Sequence, residues 1–130
     1  MLLDTSGLLC HHNADEPQHA AARNHFLAPG HKLTHGYVLA EFVALAHARR
    51  LPRSSALAFL NALLEHPRVE IVWVYEVLHG KRVRLQEARP DKTYSLCDAV
   101  SLVLMKDRGI TEALTTDHHF EQEGYCRLLK

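Results

Sequence analysis

The chain has 130 residues, 47% hydrophobic and 23% charged, with 15 basic and 15 acidic side chains and a formal net charge of zero. That composition describes one folded domain with a real core. It excludes a disordered chain and a protein that grips nucleic acid by bulk positive charge. No apolar run approaches the roughly 20 residues of a membrane span, and Met1-Leu2-Leu3-Asp4 meets an acid too soon for a signal peptide, so the expected location is cytoplasmic.

Met1 to Leu3 read as a short apolar strand, followed by a helical turn through Leu8 and Leu9. Asp15 to Gln18 has capping-box spacing with Pro17 in the first turn, and leads a helix from Gln18 to Leu27 that Pro29-Gly30 breaks. Lys32 to Thr34 is a short strand, and helices follow from about Tyr37 to Arg49 and from Arg53 to Glu65. Val69 to Val74, rich in β-branched and aromatic residues, is a strand. Tyr75 to Ala88 is helical, and Pro90 ends it. Ser95 with Asp98 three residues on starts a helix that Gly109 stops. Glu112 to Thr116 is a strand, then comes a helical turn, and Tyr125 to Leu129 is the last strand. Strands separated by helices predict a single α/β domain over residues 1–130, with a parallel sheet covered on both faces. Ligands of such sheets bind beyond the carboxyl ends of the strands, and Asp4 and Asp117 fall on that edge.

Four acids stand where acids are least expected. Asp4 ends the first apolar run, Glu41 lies within Tyr37-Val38-Leu39-Ala40-Glu41-Phe42, Asp98 opens an apolar helix and Asp117 closes a strand. Ionised carboxylates are rarely buried unless paired or bound to a cation. Helix capping is the competing reading for Asp4, Asp98 and Asp117, and Ser95-x-x-Asp98 has the spacing for it. Glu41 resists that reading, because its neighbours three and four residues away are Tyr37, Val38, Ala44 and Leu45 and offer no basic partner.

Convergent carboxylates repel: two unit charges 4 Å apart cost about 4 kcal/mol at an effective dielectric of 20. Several together need a cation. An oxygen-only ligand set favours Mg²⁺ or Mn²⁺, and such ions at the end of a parallel sheet suit phosphodiester hydrolysis. Thr5, Ser6, Ser101 and Thr115 lie beside the acids and are candidate donors that orient the carboxylates or a water, although local backbone bonding explains each hydroxyl alone. Cys10, Cys97 and Cys126 have no paired spacing, and the doublets His11-His12 and His118-His119 lack a partner at metal-site spacing. His119, two residues from Asp117, remains within reach of a phosphate or a supporting position. The basic groups Arg49-Arg50 with Arg53, and Lys81-Arg82 with Arg84, read as solvated helix faces.

Four stretches resemble, in order, the motifs of the PIN-domain ribonucleases, and most closely the VapC-type toxins of bacterial toxin–antitoxin pairs. They are Met1-Leu2-Leu3-Asp4-Thr5-Ser6, Tyr37-Val38-Leu39-Ala40-Glu41, the run from Asp91 through Asp98 to Ser101, and Leu114-Thr115-Thr116-Asp117-His118-His119-Phe120. The resemblance covers nearly the whole chain. It implies a three-layer PIN-like fold, with a central parallel sheet flanked by helices, and a metal site at Asp4, Glu41, Asp98 and Asp117. It further implies Mg²⁺- or Mn²⁺-dependent cleavage of single-stranded or looped RNA, homodimerisation, and inhibition by a small cognate antitoxin. Cys97 stands where the family often has Thr, and His118 where it often has Arg; neither removes an acid. Two competitors remain. A phosphatase using Asp4 as nucleophile wants a second Asp two residues on, where this chain has Ser6. A catalytically silent PIN module that only binds RNA or a protein would be marked by a missing acid, and none is missing.

Overall fold

The computed structural model describes residues 1–76 and 94–130. At its centre is a five-stranded sheet in the order β3-β2-β1-β4-β5, every pairing parallel. The strands are β1 (Leu2–Leu3), β2 (Lys32–His35), β3 (Val69–Val72), β4 (Glu112–Leu114) and β5 (Cys126–Arg127). The helices are α1 (Thr5–His12), α2 (His19–Leu27), α3 (Gly36–Ala48), α4 (Arg53–Glu65), α5 (Leu96–Arg108) and α6 (His119–Gln122). β1 shows why both faces must be covered: Leu2 and Leu3 point to opposite sides and each is fully buried. Leu2 packs with Met105, Ala113 and Phe120, whereas Leu3 packs with Leu8, Val38, Phe42 and Leu114. These are the three layers expected from the sequence.

Register fixes the working edge. Leu2 pairs with Leu33 on one side and with Ala113 on the other, and Leu3 pairs with Leu114. One step further on, the Asp4 N–H donates to the Leu114 carbonyl at 3.2 Å, so the chain leaves β1 still fastened to β4. Helix α1 then crosses β4 at very short range. A Cβ built on Gly7 would lie 1.9 Å from the Leu114 carbonyl oxygen, so only glycine permits that approach.

Several elements differ from the sequence reading. The turn at Leu8 and Leu9 is an eight-residue helix. β2 extends to His35, and all four of its residues are buried. The Lys32 ammonium donates to the carbonyls of Ala28 and Gly30 at 2.8 and 3.0 Å, which satisfies a charge that burial would otherwise disfavour. β3 stops at Val72, β4 at Leu114, and β5 is only Cys126–Arg127. The capping box expected at Asp15 is absent: α2 starts after Gln18 without a side-chain cap, and Asp15 donates its own N–H to the Asn13 side chain at 3.1 Å. At α5 the signals hold, with both bonds of the Ser95–Asp98 box formed and Gly109 left-handed at φ 65°. The helix expected over Tyr75 to Ala88, the Lys81-Arg82-Arg84 group and residues 91–93 of the third motif lie wholly or largely outside the described residues. Among the described residues, no helix is long and apolar enough to cross a membrane.

The Gly7 contact yields a test. Gly7→Ala should cost about 1–3 kcal/mol or more, because the obstructing atom is backbone and cannot rotate away. A urea midpoint unchanged from wild type would show that α1 does not need this approach.

Candidate active site

Asp4 is the first residue beyond β1 and occupies the N-cap position of α1, but its carboxylate makes no capping bond to that helix. It is turned toward β4 instead. Oδ2 accepts the Thr115 hydroxyl at 2.7 Å and the Ser6 hydroxyl at 3.2 Å. Those two hydroxyls lie 3.1 Å apart and are themselves held by the backbone: Ser6 Oγ accepts the Thr116 N–H, and Thr115 Oγ1 accepts the Asp117 N–H, each at 3.0 Å. The other oxygen, Oδ1, is buried and has no hydrogen-bond partner among the described residues. Burial pushes the Asp4 carboxyl up to about 7; the Thr115 hydroxyl pulls it down, the Asp98 charge raises it, and the Thr5 N–H and the Glu41 charge act more weakly.

Asp98 has a double task. Its N–H donates to Ser95 Oγ at 3.1 Å, and its Oδ2 accepts the Ser95 N–H at 3.3 Å, so the capping reading is correct for this residue. It also lines the acid cleft. Burial raises its carboxyl above the usual range, the Ser95 N–H opposes this, and the charges of Asp117 and Glu41 add to the rise. Asp117 closes a local turn by accepting the His119 N–H on Oδ1 at 2.9 Å, and His119 Nδ1 lies 3.1 Å from the same oxygen. The His119 ring stands edge-on to Tyr94, their centroids 5.5 Å apart.

All four acids line one open cleft of about 430 Å³ beyond the carboxyl ends of β1 and β4, together with Thr5, Ser6 and Thr116. Glu41 is not buried as its apolar neighbours suggested. It is exposed, because α3 runs along the rim with Ala40, Glu41 and Ala44 turned outward. Of the hydroxyls singled out in the sequence, Ser6 and Thr115 brace Asp4. The Thr5 hydroxyl lies 3.9 Å from Cys97 Sγ. Ser101 is elsewhere: its hydroxyl is bonded to His35 Nε2 at 2.8 Å inside the core, where burial pushes the imidazole down to about 4. A second cavity of about 320 Å³, between α3 and α4, is lined by apolar residues such as Ala40, Val43 and Leu51 and carries no carboxylate.

The donor set suits a divalent cation. Ligand atoms of Asp98, Asp117 and His119 all lie within 4.8 Å of one another. Opposite ligands of an octahedral ion with bonds near 2.1 Å are about 4.2 Å apart, so one ion could draw on all three with small movements. Asp4 and Glu41 face the same cleft from outside that trio. Asp4 Oδ1, buried and without a hydrogen-bond partner among the described residues, has its lone pairs left for a cation. The sequence reading gave His119 only a supporting place; its position two residues after a strand-end acid was the available signal.

Fold and cleft together agree with the PIN domain model, which matches residues 1–123, and the chain belongs to the PIN-domain family. Among solved structures, it superposes on Mycobacterium tuberculosis VapC20, described as a toxin that cleaves the sarcin–ricin loop. The TM-score is 0.88 at 25% identity, over 99% of this chain and 98% of that one. No match is found among curated proteins. Within the family the chain is thus of VapC type, a metal-dependent endoribonuclease toxin.

The raised Asp4 carboxyl predicts a pH signature. Its folded value near 7 exceeds the ordinary 3.8, so the cost of burying the charge is fully felt above pH 7 and is relieved as the folded chain takes up a proton on the way down. In EDTA at pH 8, Asp4→Asn should be more stable than wild type, and the gap should shrink by about 1 kcal/mol by pH 6.5. Lower stability of the variant at pH 8 in urea melts would contradict a strained carboxylate.

Proposed function

We propose that the cleft of Asp4, Glu41, Asp98 and Asp117 is the catalytic site of a single nuclease domain spanning residues 1–130, using Mg²⁺, with Mn²⁺ able to substitute. The observation that carries this reading is the gathering of four carboxylates on one cleft, among them the buried Asp4, whose Oδ1 has no hydrogen-bond partner among the described residues. Asp4, Asp98 and Asp117 hold the cation, His119 is placed to join Asp98 and Asp117 as a ligand or to steady Asp117, and Glu41 either binds the ion or orients a water. A divalent ion held there supplies Lewis acidity at the phosphodiester and positive charge that the cleft lacks. Thr115 and Ser6 fix the rotamer of Asp4, and the capping bonds to Ser95 fix that of Asp98, so both carboxylates are aimed before substrate arrives.

The substrate class is single-stranded or looped RNA. Because VapC20 acts on the sarcin–ricin loop, a hairpin of that kind is the first RNA to test here. Restraint by a small cognate antitoxin, homodimerisation and a cytoplasmic location complete the proposal.

Purified protein should cut structured RNA into discrete fragments with Mg²⁺ or Mn²⁺, and EDTA or Asp98→Asn should abolish the cutting. Cleavage that survives either one would remove the cleft from the mechanism. Thr115→Val keeps every carboxylate but loses the brace on Asp4, and should lower cleavage by roughly 10–100-fold. An unchanged rate would show that the hydroxyl is only structural.

A further inference from the structure

The same edge of the sheet carries an aromatic side chain that the acid cleft does not explain. β3 ends at Val72, and the next residue, Trp73, is 52% exposed. Val72 pairs with His35. Extending the β1 pairings, by two steps on the β2 side and one on the β4 side, sets Asp4 beside His35 and Thr115. Val72, His35, Asp4 and Thr115 therefore form one row across four strands. At about 4.8 Å per strand, Val72 lies roughly 10 Å from Asp4, and Trp73 stands one residue further toward the working edge.

The indole is seated rather than loose. Gly36 follows His35 as Trp73 follows Val72, and a Cβ on Gly36 would come within 3.2 Å of Cε3 and 3.5 Å of Cζ3. Gly36 is not among the positive-φ glycines, so its backbone does not require glycine. The missing side chain lets the ring lie against the start of α3. Tyr75, two residues on, is 72% exposed. One exposed aromatic residue needs no explanation by itself. This one directly follows Val72, whose backbone lies about 10 Å along the row from Asp4, on the edge that holds the acid cleft. A chain of zero net charge has no bulk attraction for RNA, which leaves base contacts to supply affinity.

We propose that Trp73, seated on Gly36, is a stacking platform for an unpaired RNA base flanking the scissile phosphate, with Tyr75 beside it as a second aromatic contact. The inference rests on the reading of the acid cleft as an RNA-cleaving site. An indole accepts any base on its face, so the platform selects unpaired over paired RNA rather than one sequence over another.

Trp73 is the chain's one tryptophan, so intrinsic fluorescence reports on this residue alone. In the Asp98→Asn background, which leaves RNA uncut, a short hairpin RNA should quench the emission saturably. Trp73→Ala should weaken binding of labelled RNA on the order of tenfold and, with Asp98 intact, raise KM more than it lowers kcat. Trp73→Phe keeps a π-face and should retain most of the affinity, whereas Trp73→Leu, similar in bulk but without one, should behave like Ala. This Phe-against-Leu comparison decides the matter even if the Ala variant fails to fold by circular dichroism. RNA that is bound and cut with unchanged emission, or Leu equal to Phe, overturns the platform and leaves the nuclease reading standing. Emission that shifts with protein concentration alone, with a smaller mass by light scattering for Trp73→Ala, assigns the surface to a second copy of the chain and also overturns it. Failure of the nuclease reading shows separately, as wild-type protein that cuts no RNA.

Discussion

The hydrogen bond from the Thr115 hydroxyl to Asp4 Oδ2, 2.7 Å long, is the constraint on which the active edge depends. A fully buried carboxylate must find donors or stay neutral, and this one finds two hydroxyls whose own lone pairs accept backbone N–H groups from Thr116 and Asp117. The orientation of Asp4 and the path of the chain into Asp117 are consequently one network. It forms only if β1 and β4 pair as Leu3 with Leu114, because a slip of one residue would turn Asp4 to the other face of the sheet. Gly7 belongs to the same constraint, since α1 must lie close on β4 for Ser6 to reach both Asp4 and Thr116.

Local helix-capping and catalytic placement are compatible in this fold, and magnitudes show which of them shapes the site. An acid in the first turn of a helix gains about 0.3–1 kcal/mol from the helix dipole, as Asp98 does in α5. Crowding of like charges costs more, on the order of 4 kcal/mol for a pair at 4 Å and an effective dielectric of 20. Capping thus orients Asp98 but does not offset the repulsion among carboxylates; burial does most to raise the carboxyls of Asp4 and Asp98, and the neighbouring charges add to it. Gathering these acids on one cleft costs stability that a bound cation would offset.

What the sequence made legible follows from locality. Strands, helices and the Ser95–Asp98 box are set by periodicity and by residues three apart, and the four acids were readable because each interrupts or bounds an apolar run. What stayed hidden depends on long-range geometry. Lys32 and His35 are buried because the carbonyls of Ala28 and Gly30 and the hydroxyl of Ser101 reach them, and no spacing announces those partners. Ser101 was accordingly placed beside the acids by sequence neighbourhood, when its side chain faces the core. Glu41 was read as pointing into a polar pocket, and it does line the cleft, though from an exposed position because α3 lies along its rim. His119 was given only a supporting place because its doublet has no partner at metal-site spacing; the turn closed by Asp117 brings it to the carboxylate.

Charge balance ties the two proposed halves of the site together. A neutral chain with an acidic cleft repels a phosphodiester until a cation reverses the local field, and one or two divalent ions reverse it only over a short range, since screening at physiological salt acts within about 8 Å. Contacts further along the RNA must then come from groups that do not depend on charge. The aromatic face of Trp73, one residue beyond the row that joins Val72 to Asp4, is such a group, since stacking itself uses no charge. A protein built this way should show a shallower dependence of RNA affinity on salt than one with a basic groove, because few counterions are released when few phosphates are neutralised. Selectivity would then arise from which unpaired base can reach the indole while its neighbouring phosphate reaches the acids, which is a condition on RNA shape before it is one on sequence.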